Sequence, residues 1–115
     1  MLEAVRHCDS VKLLINVTTD KVYLNENLGK DFVETDKLCG LDPYSNSKSC
    51  SELVTYSYYN SFFKGQRDMG VVTLRAGNVI GGGDFAKHRI VPDCARFLSQ
   101  NTPIVLRNPA STRPY

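Results

Sequence analysis

The sequence predicts an α/β fold, part of a doubly wound parallel sheet, on three observations. Short apolar runs stand at 11–17, 70–76 and 103–107. Segments with helical spacing, 43–64 and 89–100, lie between them. Each run is followed at once by polar or glycine-rich residues. Strand, helix, strand, helix, strand is the order that gives right-handed crossovers and a parallel sheet.

The elements follow in chain order. "LEAVRHC" carries Leu2 and Val5 at helical spacing and reads as the tail of a helix with no N-cap before it. "VKLLINV" (11–17) is nearly continuous in apolar residues, as in a parallel strand covered on both faces. "TTDKVY" follows, then about twenty polar residues that include Asn25, Asn27 and Gly29; a loop of this length is usually functional or disordered. A helix is expected over 43–64, with Asp42 as its cap and Pro43 in the first helical position. Cys50, Leu53, Val54, Tyr58 and Phe62 have the 3-and-4 spacing of one buried face. "GVVTLRA" (70–76) is the second strand and "GNVIGGGD" (77–84) a glycine-rich turn. "RIVPDCARFLSQ" (89–100) is a shorter amphipathic helix with Pro92 near its start, and "PIVLR" (103–107) the third strand. A three-stranded parallel sheet leaves two open edges. The chain, 1–115, therefore reads as a single fragment, the second half of a doubly wound domain without its first.

Composition narrows the function classes. A chain of 115 residues holds one domain at most. Its 42% apolar and 23% charged residues are ordinary for a soluble globular protein. The net charge of +2 comes from scattered lysines and arginines, which argues against a nucleic-acid partner. No apolar stretch approaches the roughly 18 residues that span a bilayer, so no membrane partner is expected. "MLEAVRHCD" lacks the parts of a signal peptide, and a cytoplasmic protein is the default. Cys8, Cys39, Cys50 and Cys94 are irregularly spaced, and His7 and His88 stand far apart. Four reduced, mostly buried thiols are expected, and no metal site.

"YSNSK" (44–48) carries the chemistry. Tyr44 and Lys48 are four apart, hence on one helix face and one turn apart. A free phenol titrates near pH 10 and is a poor base at neutral pH. A nearby ammonium stabilises the phenolate, and the first turn of a helix adds a smaller push the same way. The pair suits a tyrosine that shuttles a proton. "TTD" sits at the carboxyl end of the first strand, where open α/β sheets bind ligands. "RAGNVIGGGD" follows the second strand, and its glycines let backbone N–H groups approach a phosphate. "RNPASTRPY" follows the third and offers Arg107 and Arg113 as phosphate partners. Three successive strand ends thus present ligand-ready residues.

"NVTTDKVY", "DPYSNSKSCSELV", "NSFF", "RAGNVIGGGDFAKHRIVPD" and "IVLRNPASTRPY" resemble the extended short-chain dehydrogenase/reductase superfamily. Within it they resemble the nucleotide-sugar 4,6-dehydratases, most closely those acting on CDP-glucose. The resemblance covers essentially the whole chain and the middle third of such an enzyme. It implies a Rossmann-type sheet, NAD as cofactor and a nucleotide sugar as substrate. It further implies that Tyr44 takes the proton from the C4 hydroxyl and that Lys48 holds the nicotinamide ribose. Thr19 would bond the C4 oxygen, Asp20 would protonate the departing C6 hydroxyl, and Lys21 would assist at C5. Asn78 would bind substrate, Arg113 would clamp the diphosphate, and Arg107 would be a weaker partner. The related dTDP-glucose enzymes carry Asp-Glu where this chain has Asp20-Lys21, and Tyr115 stands where tryptophan is usual. The family's G-x-x-G-x-x-G turn does not occur in these residues, so weak NAD binding is expected of the chain alone, while the open sheet edges and uncovered sheet face lead to the expectation of a homo-oligomer or a self-associating fragment. The alternatives are a non-catalytic remnant that binds a nucleotide sugar or a partner, and a nucleotide-sugar 4-epimerase.

Overall fold

The computed structural model describes residues 1–26, 29 and 31–111. They fall into two compact units, Met1–Ala76 and Gly77–Tyr115.

The first unit is α/β, as the sequence predicts. After α1 (Leu2–Arg6) come β1 (Leu13–Thr19), a single 3₁₀ turn (Asp20–Val22), α2 (Pro43–Tyr58) and β2 (Gly70–Ala76). The strands pair in parallel, from Leu13 opposite Gly70 to Thr19 opposite Ala76. α2 is the crossover between them. It packs on the face of β1 that carries Leu14, Asn16 and Thr18. Arg67 ties the end of α1 to the approach to β2: its guanidinium donates to the carbonyls of Val5 (2.7 Å) and Cys8 (2.5 Å). A cation is favoured there because the carbonyl end of a helix carries partial negative charge.

The face that α2 buries is not the expected one. Cys50, Leu53 and Val54 are exposed, and Tyr58 and Phe62 half-buried. Ser45, Ser49, Glu52 and Thr55 point inward instead. The reason lies in β1. Asn16 stands in mid-strand on the covered face, and a covered amide needs partners. It finds Thr55 Oγ1 at 2.9 Å and Ser51 Oγ at 3.2 Å, both on α2. Small hydroxyl residues also let the helix approach the sheet closely. The apolar core is correspondingly small: Leu14, Val22 and Phe63. A π-helical turn over Tyr59–Phe63 extends α2 and carries Phe63 into that core.

The other face of the sheet shows Leu13, Ile15 and Val17 of β1 beside Val72 and Leu74 of β2, all exposed. The described residues therefore cover one face of β1, not the two expected from its apolar run.

The second unit holds the glycine-rich turn and α3 (Ile90–Ser99). Pro92 falls within the first turn of α3, where a missing N–H breaks no helical bond. Arg96 pairs with Asp93 one turn earlier. The expected third strand does not appear: among the described residues the sheet has two strands, and 103–107 is irregular. A strand exists only through ladder hydrogen bonds to a neighbour, and apolar content alone cannot create one. Ile104, Val105 and Leu106 remain exposed.

Cys8, Cys39 and Cys94 are half-buried free thiols and Cys50 is exposed, so none is fully buried as expected. No helix among the described residues is long and apolar enough to cross a membrane.

Candidate active site

The start of α2 is fixed from several sides. Asp42 caps it: Oδ1 accepts the N–H of Ser45 (3.0 Å) and Oδ2 accepts the Ser45 hydroxyl. Those bonds favour the ionised carboxylate and hold Asp42 below the usual aspartate range. Gly40 lies directly against the helix, and its N–H donates to Ser49 Oγ at 3.0 Å. A Cβ there would fall 2.4 Å from the Ser45 carbonyl carbon and 2.6 Å from the Asn46 nitrogen. Only glycine permits this approach. Tyr44 is thereby held on the outer side of the first turn, 57% exposed as a residue. Lys48 stands one turn on, with Nζ 6.0 Å from the centre of that ring.

The end of β1 supplies the second group. Thr19 is buried, and its hydroxyl donates to Asp20 Oδ1 at 3.0 Å. Lys21 Nζ lies 3.3 Å from the same oxygen. The 3₁₀ turn that carries Asp20 and Lys21 is bound to α2 through Val22. The Val22 carbonyl lies 2.8 Å from Ser49 Oγ and accepts the N–H of Cys39 at 2.9 Å. Thr19–Lys21 and Tyr44–Lys48 are therefore two local pairs held against the same stretch of helix. Asn78, half-buried, and Arg107, exposed, belong to the second unit. Arg113 and Tyr115 lie outside the described residues.

Beneath both pairs runs a network that the sequence reading did not single out. Glu52, 5% exposed, accepts the Thr18 hydroxyl (2.6 Å) and both Nε (3.0 Å) and Nη2 (2.6 Å) of Arg75. Arg75 Nη1 donates to the Tyr23 hydroxyl (2.8 Å) and the Glu34 carbonyl (2.9 Å). The guanidinium sits 4.8 Å over the Tyr23 ring, and that ring stacks on Phe32 at 4.7 Å. The bonds to Glu52 raise the Arg75 pKa further, so Arg75 is a permanent cation. A signal for this network was present: Ser45, Ser49, Glu52 and Thr55 follow helical spacing as a polar stripe.

Chemically, the site offers a carboxyl and an ammonium side by side, and a phenol with an ammonium one turn apart. The first pair sets a proton acceptor beside a proton donor. The second sets a phenol hydroxyl and a cation on one helix face.

Comparison with known proteins bears out the resemblance read from the motifs. No family model matches the chain. It is 44% identical over its whole length to CDP-glucose 4,6-dehydratase of Salmonella typhimurium, of which it spans 33%. It is 29% identical over 88% of its length to human dTDP-D-glucose 4,6-dehydratase, of which it spans 27%. The chain thus spans about a third or less of these relatives. Among solved structures it is similar to UDP-glucuronic acid 4-epimerase from Bacillus cereus, in complex with UDP-glucuronic acid and NAD. The TM-score is 0.70 at 22% identity, over 89% of this chain and 30% of that one. That likeness supports the α/β Rossmann-type fold.

Proposed function

We propose that these residues are the catalytic segment of an NAD-dependent nucleotide-sugar 4,6-dehydratase, acting on CDP-glucose to give CDP-4-keto-6-deoxyglucose. The observation that carries the reading is the Thr19–Asp20–Lys21 cluster held against the same helix as Tyr44 and Lys48. The whole-length identity to the Salmonella enzyme supports it.

NAD, when bound, supplies a hydride acceptor at C4 and a donor at C6. Tyr44 and Lys48 fit the ribose end of such a cofactor, since both are reachable from solvent on one helix face. Tyr44 as phenolate removes the C4 hydroxyl proton, and Lys48 stabilises that phenolate. Thr19 would donate to the C4 oxygen by turning its one hydroxyl proton away from Asp20 Oδ1, to which it donates at 3.0 Å. The resulting ketone acidifies the C5 hydrogen. Lys21, as the amine, takes that proton while Asp20, as the acid, protonates the C6 hydroxyl, which leaves as water. Lys21 then returns a proton to C5. The proton gained by Tyr44 and the one spent by Asp20 are exchanged with solvent, so the net change is loss of one water. Asn78, Arg107 and Arg113 would hold the diphosphate and sugar, as guanidinium and amide donors do well. The setting we infer is the cytoplasm, in deoxysugar synthesis for polysaccharides.

A 4-epimerase is the second reading, favoured by the shape of the Bacillus cereus structure. Epimerisation at C4 needs no acid at C6, so the Asp20–Lys21 pair favours the dehydratase.

The test is a graft in which these 115 residues replace the matching third of the Salmonella enzyme. Mass spectrometry should show CDP-glucose losing one water. Tyr44→Phe should cut that turnover by roughly a hundredfold or more, the scale of general-base catalysis. Full turnover by Tyr44→Phe would remove the chemical basis of the assignment.

A further inference from the structure

We propose that Glu52 and Arg75 are positioning residues that set the Asp20 acid group relative to Tyr44 and Lys48. This rests on the dehydratase reading and deepens it.

Four pieces of chain meet at this one ion pair. Glu52 belongs to α2, one turn beyond Lys48. Thr18, which donates to Glu52 at 2.6 Å, immediately precedes Thr19 and Asp20. Arg75 lies near the carboxyl end of β2, opposite Thr18 in the parallel ladder. Its remaining N–H groups reach across to Tyr23 and to the Glu34 carbonyl. Tyr23 directly follows the 3₁₀ turn that carries Asp20 and Lys21. The segment bearing the acid is therefore gripped on both sides, at Thr18 before it and at Tyr23 after it. Both grips lead back to the helix that bears the tyrosine.

The chemistry explains why a charged pair occupies this place. A planar guanidinium offers donors in a fixed fork and can hold a carboxylate, a phenol oxygen and a carbonyl at once. A lysine has one donor centre and cannot span them. A buried pair contributes direction more than stability, because replacing it with apolar groups is often neutral. What such a replacement loses is the fixed relation between the acid and the base. A shift of about 1 Å in a reacting group can cost a hundredfold in rate.

Removing water needs Asp20, whereas oxidation at C4 needs the Tyr44 base, which stays on α2, and takes from the 18–24 segment only a hydrogen bond from Thr19. The two steps are therefore affected unequally. Arg75→Lys keeps the charge and loses the bridge. In the graft, single-turnover absorbance with CDP-glucose should show reduced cofactor forming at close to the normal rate and then persisting. Loss of water should be slowed about tenfold to a hundredfold. The double variant Glu52→Leu with Arg75→Met, which leaves no unpaired charge, should fold and show the same split. Tyr23→Phe, which keeps the ring stack, should show it more weakly. A second readout needs no activity. Hydrogen exchange of the 115-residue chain should rise at 18–24 and 31–39 in Arg75→Lys and stay unchanged at 45–50. Equal slowing of oxidation and water loss, or unchanged exchange at 18–24, would overturn the positioning role. A graft that is active and splits the steps supports both the role and the dehydratase reading. A folded graft without any dehydration refutes that reading, while the exchange pattern still decides whether the clamp exists.

Discussion

Gly40→Ala tests how the tyrosine-bearing helix is seated. An added Cβ would meet the Ser45 carbonyl carbon at 2.4 Å, Ser45 Cβ at 2.5 Å and the Asn46 nitrogen at 2.6 Å. Ordinary carbon contacts lie at about 3.5–4.0 Å, so the turn must retreat by about 1 Å. Two of the three obstructing atoms are helix backbone, which no rotamer change can move. Overpacking of this kind costs about 1–3 kcal/mol. Retreat also separates the Gly40 N–H from Ser49 Oγ, a bond worth about 1 kcal/mol. The total is about 3 kcal/mol, a large share of the stability of a small domain. Urea unfolding followed by tyrosine fluorescence reads this out, since the chain has six tyrosines and no tryptophan. With a slope of about 1–3 kcal/mol per molar, the midpoint should fall by at least about 1 M. Gly81→Ala is the control, because its Cβ would meet nothing within 4 Å. Equal midpoints for the two variants would refute the close-approach argument.

Other expectations follow from the same contacts. Asp42 is ionised more readily in the folded chain than in the unfolded one, because Ser45 donates to it twice. Its contribution is complete above the unfolded value of about 3.9 and is lost as pH falls through the lower folded value. Carboxyl carbon shifts against pH should show a midpoint below that of a peptide aspartate; a higher one would contradict the cap. Arg67→Met should remove the side-chain donor shared by the Val5 and Cys8 carbonyls, raising hydrogen exchange over residues 4–8 while β1 stays protected. Unchanged exchange there would show that Arg67 does not anchor α1. The apolar sheet face should bind a hydrophobic dye and promote self-association. Ile15→Lys with Leu74→Glu should reduce both, read by fluorescence and sedimentation, with the circular dichroism retained.

Much of the fold was legible because it rests on local rules. β2 was read at its full extent, 70–76, because a short β-branched and apolar stretch between glycines, interrupted only by Thr73 and Arg75, is self-contained. The start of α2 was legible for the same reason: Asp42 and Pro43 act on the nearest turn alone. The inward face of α2 was not legible from apolar spacing. Which face turns inward depends on Asn16, about forty residues away in sequence, whose amide selects hydroxyls over leucine. The third strand failed for a related reason, since apolar content at 103–107 does not supply an edge to pair with. The local part of the candidate site, Tyr44 with Lys48 and Thr19 through Lys21, stands in the sequence as two short motifs, each carried by a single element. The Glu52–Arg75 pair was not, because its partners come from β1, α2, β2 and the polar loop together.

The most direct measurement follows the hydrogen at C4. CDP-glucose carrying deuterium at C4 is incubated with the graft, and the product is examined by NMR. A dehydratase working through Tyr44 and Asp20 moves the deuterium to C6 of the same sugar, with loss of one water. Asp20→Asn should leave the label on the cofactor and no product. Deuterium retained at C4 in every product molecule, with no water lost, would mean that this segment does not perform the dehydration proposed for it.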